Sequence, residues 1–342
     1  MAAVVDDIGS FPLPSGMDRR AFSDAYASAR KAIVEGRRLD ENDPSQRDFI
    51  RTVTASFKMK LEAGLDIVNY PQHYDIHRQL TDVIHEAMKG GTYVVDESHA
   101  VLPEVHAIEM KARELSEEFR KKIPLRVCVT GPLELYLKEV GTTAYKDVIL
   151  MIAETVRRFA RNSILDSKYV RTEVVSIDEP SFGLYDVTVD KETVLEALEK
   201  ALDFAGVTKQ IHLHSASRIT DIVELSNFDV ASFEYAASPR NIDAVSKGLL
   251  EKADKQIRIG VSRTDVDSIM AELSEKGITK PRNEQLVEDE ETIRKRYAAT
   301  KRKYGERMTF TGPDCGLGGW PTQESARLLL MRTVNAVKST GI

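Results

Sequence analysis

Gln210-Ile211-His212-Leu213-His214 is a short run whose alternate residues are apolar and whose last polar positions are histidines. Residues two apart on a strand point to one face, so His212 and His214 point the same way. Working outward, seven further runs of similar length and β-branched character occur: Val4–Ile8, Asp66–Tyr70, Leu125–Thr130, Glu173–Ile177, Asp229–Glu234, Gln256–Val261 and Met308–Gly312. Most are apolar on both faces, as strands of a covered parallel sheet are. Between them lie stretches with helical periodicity, the clearest being Ala144–Leu165, Thr193–Phe204 and Thr322–Val337. Strand and helix alternating through the chain predict an α/β fold, a single (β/α)8 TIM barrel with insertions over residues 1–342. The competing doubly wound sheet carries a Gly-rich phosphate turn after its first strand. Here that place holds Ile8-Gly9-Ser10-Phe11-Pro12, which is no such turn. Residues 36–46 read as a loop between helices, 70–80 as an aromatic, histidine-rich loop, and 280–289 as a polar segment wandering over the surface.

The bulk numbers narrow the classes of function. A chain of 342 residues with 42% hydrophobic and 30% charged residues describes a globular protein, and the net charge of −6 argues against nucleic acid as the main partner. The basic cluster Arg294-Lys295-Arg296 follows an acidic stretch and reads as a solvated helix face. Two cysteines are too few for a disulfide framework and point to a reducing compartment. No apolar run approaches the ~20 residues of a membrane span. The early acidic pair Asp6-Asp7 does not suit a signal peptide. A cytoplasmic enzyme is the expectation.

Barrel chemistry is built where strands end. Those ends are polar here: Gly9-Ser10, then Asn69-Tyr70 running on to His73, Thr130, Asp178-Glu179, His212 and His214, Glu234, Ser262-Arg263, and Asp314-Cys315. His212, His214, Glu234 and Cys315 bring nitrogen, oxygen and sulfur donors from neighbouring strand ends, a set suited to zinc. Taken alone, the two histidines are equally well one buried and one loop residue, each hydrogen-bonded. Cys128, inside Arg126-Val127-Cys128-Val129, reads as core. A metal site with an open position lowers the pKa of a bound thiol, and a thiolate attacks an activated methyl group.

Ile8-Gly9-Ser10-Phe11-Pro12, Asp178-Glu179-Pro180, His212-Leu213-His214, Glu234 and Pro313-Asp314-Cys315-Gly316-Leu317 together resemble the C-terminal catalytic barrel of cobalamin-independent methionine synthase. The length resembles the short core form of archaea and some bacteria. The resemblance implies one Zn2+ held by His212, His214, Glu234 and Cys315, with Gly9 and Ser10 at the carboxylate of homocysteine and Asp178 at its ammonium. Three departures stand out. The family's His-x-Cys is His-x-His here, so two thiolates become one, and His214 either ligates or stands beside a water ligand. The loop after the second strand has Asn69-Tyr70 where the long enzymes use a glutamate, which leaves Tyr70 and His73 as the candidate substrate contacts. After the seventh strand, Asp267 stands nearest the place of a histidine linked to folate loss. A methylcorrinoid, free or on a corrinoid protein, is therefore the implied methyl donor.

Three readings remain. The first is a zinc-dependent thiol methyltransferase making methionine, with Asp178 and Glu179 as the catalytic carboxylates. The second keeps the chemistry but takes another small-molecule thiol, such as coenzyme M, whose sulfonate Arg263, Arg240 or His73 would meet. The third is a zinc-dependent lyase or hydrolase on the same rim, with Asp178 or Glu179 as base, or a binding module without turnover.

Overall fold

The computed structural model describes residues 2–184 and 189–341. Each run anticipated above carries a strand: β1 (Val4–Val5), β2 (Val68–Asn69), β3 (Ile123–Thr130), β4 (Val170–Asp178), β5 (Thr208–Leu213), β6 (Val230–Phe233), β7 (Gln256–Ser262) and β8 (Met308–Pro313). They form one eight-stranded sheet in the order β1-β8-β7-β6-β5-β4-β3-β2, and all pairs are parallel. The segments at its two ends also meet. The amides of Asp66 and Ile67 donate to Val5 O at 2.9 and 3.3 Å, and Phe11 N donates to Gln72 O at 3.1 Å. The sheet is curled, in the manner of a TIM-type barrel, with helices packed outside it.

Local chemistry explains the helix starts. The helix Pro44–Glu62 begins where Asp43 accepts from Ser45 N at 2.9 Å, with proline in the first turn where no amide partner is needed. Asp190 accepts from Thr193 N to open Lys191–Ala201, and Thr322 accepts from Ser325 N to open Gln323–Lys338. These two helices and Lys146–Asn162 fall within a few residues of the periodic stretches. The segment 280–289 does not wander. It holds the short helix Asn283–Leu286, buries Leu286 and Val287, and places Glu288 to accept from Arg263 N at 2.9 Å and Arg296 at 2.6 Å.

Alternation along the strands stacks the sheet's concave interior in tiers. Nearest the strand starts, Val174, Val230 and Phe310 pack with Val4 and Ile67 in a small apolar cluster. Val174, Val230 and Phe310 belong to even-numbered strands and Ile67 directly precedes β2, as tiers built from alternate strands require, while Val4 joins them from β1. The next tier, from β3, β5, β7 and the residue after β1, is Arg126, Gln210, Arg258 and Asp6, all fully buried. Arg258 Nε donates to Asp6 Oδ1 at 2.5 Å, Arg126 Nε lies 3.4 Å from Asp6 Oδ2, and Arg126 also donates to Gln210 Oε1 at 3.4 Å. Above this charged tier the strands reach their carboxyl ends. No helix among the described residues is long and apolar enough to cross a membrane.

Candidate metal and substrate site

His212 sits on β5 at 1% exposure, and parallel pairing sets it opposite Ser232 of β6. Its Nδ1 meets Ser232 Oγ at 3.0 Å, while its Nε2 is buried with no hydrogen-bond partner. A buried polar atom left open in a polar cleft asks for a partner. His214 follows at the end of the same strand, with Nε2 3.4 Å from Cys315 Sγ and 3.6 Å from Glu234 Oε1. One donor atom from each of His212, His214 and Cys315 lies within 4.8 Å of the other two. Glu234 stands beside His214 but outside that tight group of three.

The loop after β8 is shaped for this. Asp314 is buried and accepts from the amides of Tyr235, Ala236 and Ala237 at 2.9, 3.0 and 2.6 Å, tying the β8 end to the loop after β6. Cys315 N donates to Thr264 Oγ1 at 3.2 Å, and Trp320 Nε1 donates to Thr264 O at 3.1 Å. Gly316 cannot be larger, because a Cβ there would meet the Ser10 hydroxyl. Ser10 Oγ accepts from Gly318 N at 3.1 Å.

The electrostatics follow from burial. It pushes the His212 pKa well below the ordinary value, and His214 below it too, so both are neutral imidazoles. It pushes Glu234 up to about 7 and the Cys315 thiol up to about 12, with Glu234 adding to the thiol's shift. A bound divalent cation reverses such a shift, since a coordinating thiol loses its proton outright. Two neutral imidazoles, one sulfur and a neighbouring carboxylate, with one imidazole nitrogen unpartnered, fit a zinc ion. The Ser232 hydroxyl orients the second nitrogen of His212, as the outer partners of metal-bound histidines do.

A cavity of about 230 Å³ opens over these groups. Ser10, Asp178, His212, His214 and Cys315 line it, as anticipated. Asp178 Oδ1 accepts from Ser176 Oγ at 2.6 Å; burial pushes its pKa up while the Arg126 guanidinium pulls it back. Gly9 is not a lining residue but lets Gln72 and Cys128 approach: a Cβ there would meet both side chains. Thr130, one of the polar strand ends, also lines the cavity, as do Gln72, Ile76, His77 and Glu134, which were not singled out from the sequence. Cys128 is buried, as expected.

Four anticipated site residues lie elsewhere. Tyr70 is fully buried, and its hydroxyl donates to Cys128 O at 2.8 Å. His73 is buried behind the rim, with Nδ1 2.9 Å from Phe11 O and Nε2 3.0 Å from Ser56 Oγ; burial lowers its pKa to about 3. Arg263 is held by Asp265 at 2.7 Å and Glu272 at 2.8 Å, away from the cavity. Glu179 is fully buried and accepts from Leu133 N and Glu134 N, both at 2.8 Å. It caps the helix Pro132–Glu139, whose own N-cap, Gly131, has no side chain to do so. Only Pro132 at the helix start with no Ser, Thr or Asp before it hinted at a remote cap.

No protein-family model matches the chain, and no curated protein matches it by sequence. Among solved structures, a B12-independent methionine synthase from Shewanella sp. W3-18-1, in complex with selenomethionine, superposes with a TM-score of 0.57 at 13% identity, covering 100% of this chain and 98% of that one. The homocysteine methyltransferase MmuM from Escherichia coli gives 0.44 at 11% identity, covering 97% and 96%. A putative dihydrodipicolinate synthetase from Pseudomonas aeruginosa gives 0.37 at 10% identity, covering 99% and 81%. At such identities the first likeness is one of fold: this chain shares the curled, parallel eight-stranded α/β architecture of that methionine synthase.

Proposed function

We propose that the chain is a zinc-dependent thiol methyltransferase on a closed (β/α)8 barrel, with homocysteine as acceptor and a methylcorrinoid as donor. The observation that carries this reading is the group of His212, His214 and Cys315, with an unpartnered His212 nitrogen, on the wall of a small cavity. Those three residues would hold the ion, with Glu234 beside them as a fourth donor. When bound, zinc supplies the positive charge that makes an acceptor thiol a thiolate at neutral pH. The chain's own groups do the rest. Asp178 and Ser10 orient the acceptor's polar end, and the cavity, smaller than the ~300–1,000 Å³ of drug-sized pockets, keeps bulk water from the sulfur. The solved methionine synthase with selenomethionine bound lends support to a methionine-sized ligand in this fold.

Two alternatives lose ground. A sulfonate acceptor needs a cation, yet Arg263 is spent on Asp265 and Glu272, His73 faces Phe11 and Ser56, and Arg240 is exposed and does not line the cavity. For a hydrolase or lyase, Glu179 is committed to two backbone amides, which leaves Asp178 as the one base of the two that lines the cavity. The test is anaerobic incubation of zinc-loaded protein with methylcobalamin and homocysteine, following cobalamin absorbance and methionine. Demethylation that requires homocysteine and disappears in Cys315→Ala is expected. Demethylation retained in Cys315→Ala, or none in the zinc-loaded wild type, would sink this reading.

A further inference from the structure

We propose that Glu134 is a specificity-determining residue that selects amine-bearing thiols, an inference that rests on the thiol-acceptor reading above. Glu134 is 4% exposed, in the first turn of the helix Pro132–Glu139, and its carboxylate lines the cavity together with Asp178. Two groups fix it. His77 Nε2 lies 3.1 Å from Oε1, and the Ser181 hydroxyl donates to Oε2. These contacts outweigh burial and hold its pKa below the ordinary value, so a charged carboxylate stands at the wall. No Lys or Arg is among the described residues that line the cavity. The nearest cation, Lys138, is half exposed and 4.0 Å from Oε1, too solvated to neutralise it fully.

Two carboxylates facing one small cavity that no Lys or Arg among the described residues lines make a site for a ligand that brings its own positive charge. Each oxygen of Glu134 has one partner and keeps acceptor capacity for a second. Glu134 also lines a second cavity of about 490 Å³ that adjoins the first along Pro180 and His214 and carries the exposed Leu184. The carboxylate therefore stands on the wall common to both spaces, where an ammonium held by it is kept inside while the sulfur reaches the metal ligands. An anionic thiol meets the same carboxylate as repulsion, which is how a site discriminates as well as binds.

The experiment loads the full chain with Co2+ and follows the thiolate-to-cobalt absorption. Four thiols are titrated into wild type and Glu134→Gln: homocysteine, 4-mercaptobutyrate (homocysteine without its amine), 3-aminopropanethiol (homocysteine without its carboxylate) and 2-mercaptoethanesulfonate. Wild type should bind homocysteine at least ~tenfold more tightly than 4-mercaptobutyrate, as expected for a charge-assisted hydrogen bond, and 3-aminopropanethiol more tightly than 2-mercaptoethanesulfonate. Glu134→Gln should lose about tenfold for the amines, nothing for 4-mercaptobutyrate, and leave Co2+ affinity unchanged. Equal losses across the panel, or no loss for the amines, overturn the role of Glu134 while leaving the thiol reading intact. If no thiol adds absorption beyond that of the Cys315 thiolate in cobalt-loaded wild type, that reading is overturned, and the proposal with it.

Discussion

Two buried acids in this chain meet the same problem in opposite ways. Asp6, inside the curled sheet, is fully buried between Arg258 and Arg126, whose guanidiniums counter the rise in pKa that burial imposes. Glu104, in the helical layer on the helix Pro103–Phe119, is equally buried but has neutral partners, its own backbone amide and the Gln79 amide 3.1 Å from both carboxylate oxygens. Burial pushes Glu104 up to about 8. The contrast teaches that burial alone does not set a charge state; the partner does. His212 is a third case, with one nitrogen satisfied by Ser232 and the other kept open toward the cavity.

The largest effect should come from breaking the paired case. Arg258→Met removes the guanidinium hydrogen-bonded to Asp6, leaves only Arg126 at 3.4 Å, and should cost about 3–5 kcal/mol in chemical unfolding, the usual result of breaking a buried ion pair. Replacing the whole charged group, Asp6→Leu with Arg258→Met and Arg126→Met, should recover most of that loss; no recovery would mean the tier's shape matters more than its charge. The unpaired case is tested by pH. A carboxyl whose folded pKa lies above its unfolded value stabilises below the unfolded value, and that stability is lost as pH rises through the folded one. Wild type should therefore weaken between about pH 4.5 and about 8. Glu104→Gln should flatten that slope and gain on the order of 2–3 kcal/mol at pH 8. An unchanged slope would place the titration in another group. The smallest effect is at His212. Ser232→Ala removes the orienting hydroxyl and should lower zinc affinity by ~10–100-fold, read by competition with a chelator, with little change in folding stability.

How much of this was legible follows the same division. Strands announce themselves by β-branched runs of the right length, so each of β1 to β8 could be located, with bounds that differ by up to three residues, as at β1 and β4. His212, His214 and Cys315 could be seen to converge because strand ends in such a fold share one rim. Loop residues could not be placed that way. His73 and His77 lie four apart in one loop, yet the first turns behind Phe11 and the second lines the cavity, and nothing local distinguishes them. Glu179 looked catalytic because its partners, the amides of Leu133 and Glu134, are some 46 residues away in sequence. Arg126 and Arg258 were the missed signal: a charge in the middle of an apolar strand marks a polar tier inside the fold.

That tier bears on how the chain can fold. The Asp6–Arg258 bond joins residues 252 positions apart, and β1 itself is only two residues long. Its anchorage comes from the far end of the chain: β1 pairs with β8, so its native pairing waits until the eighth strand has formed. A nascent or truncated chain ending before β7 keeps Asp6 in water and cannot complete the sheet's interior. Contacts of this separation slow folding and make assembly all-or-none rather than piecewise. Fragments that stop short of Arg258 should not form the interior at all.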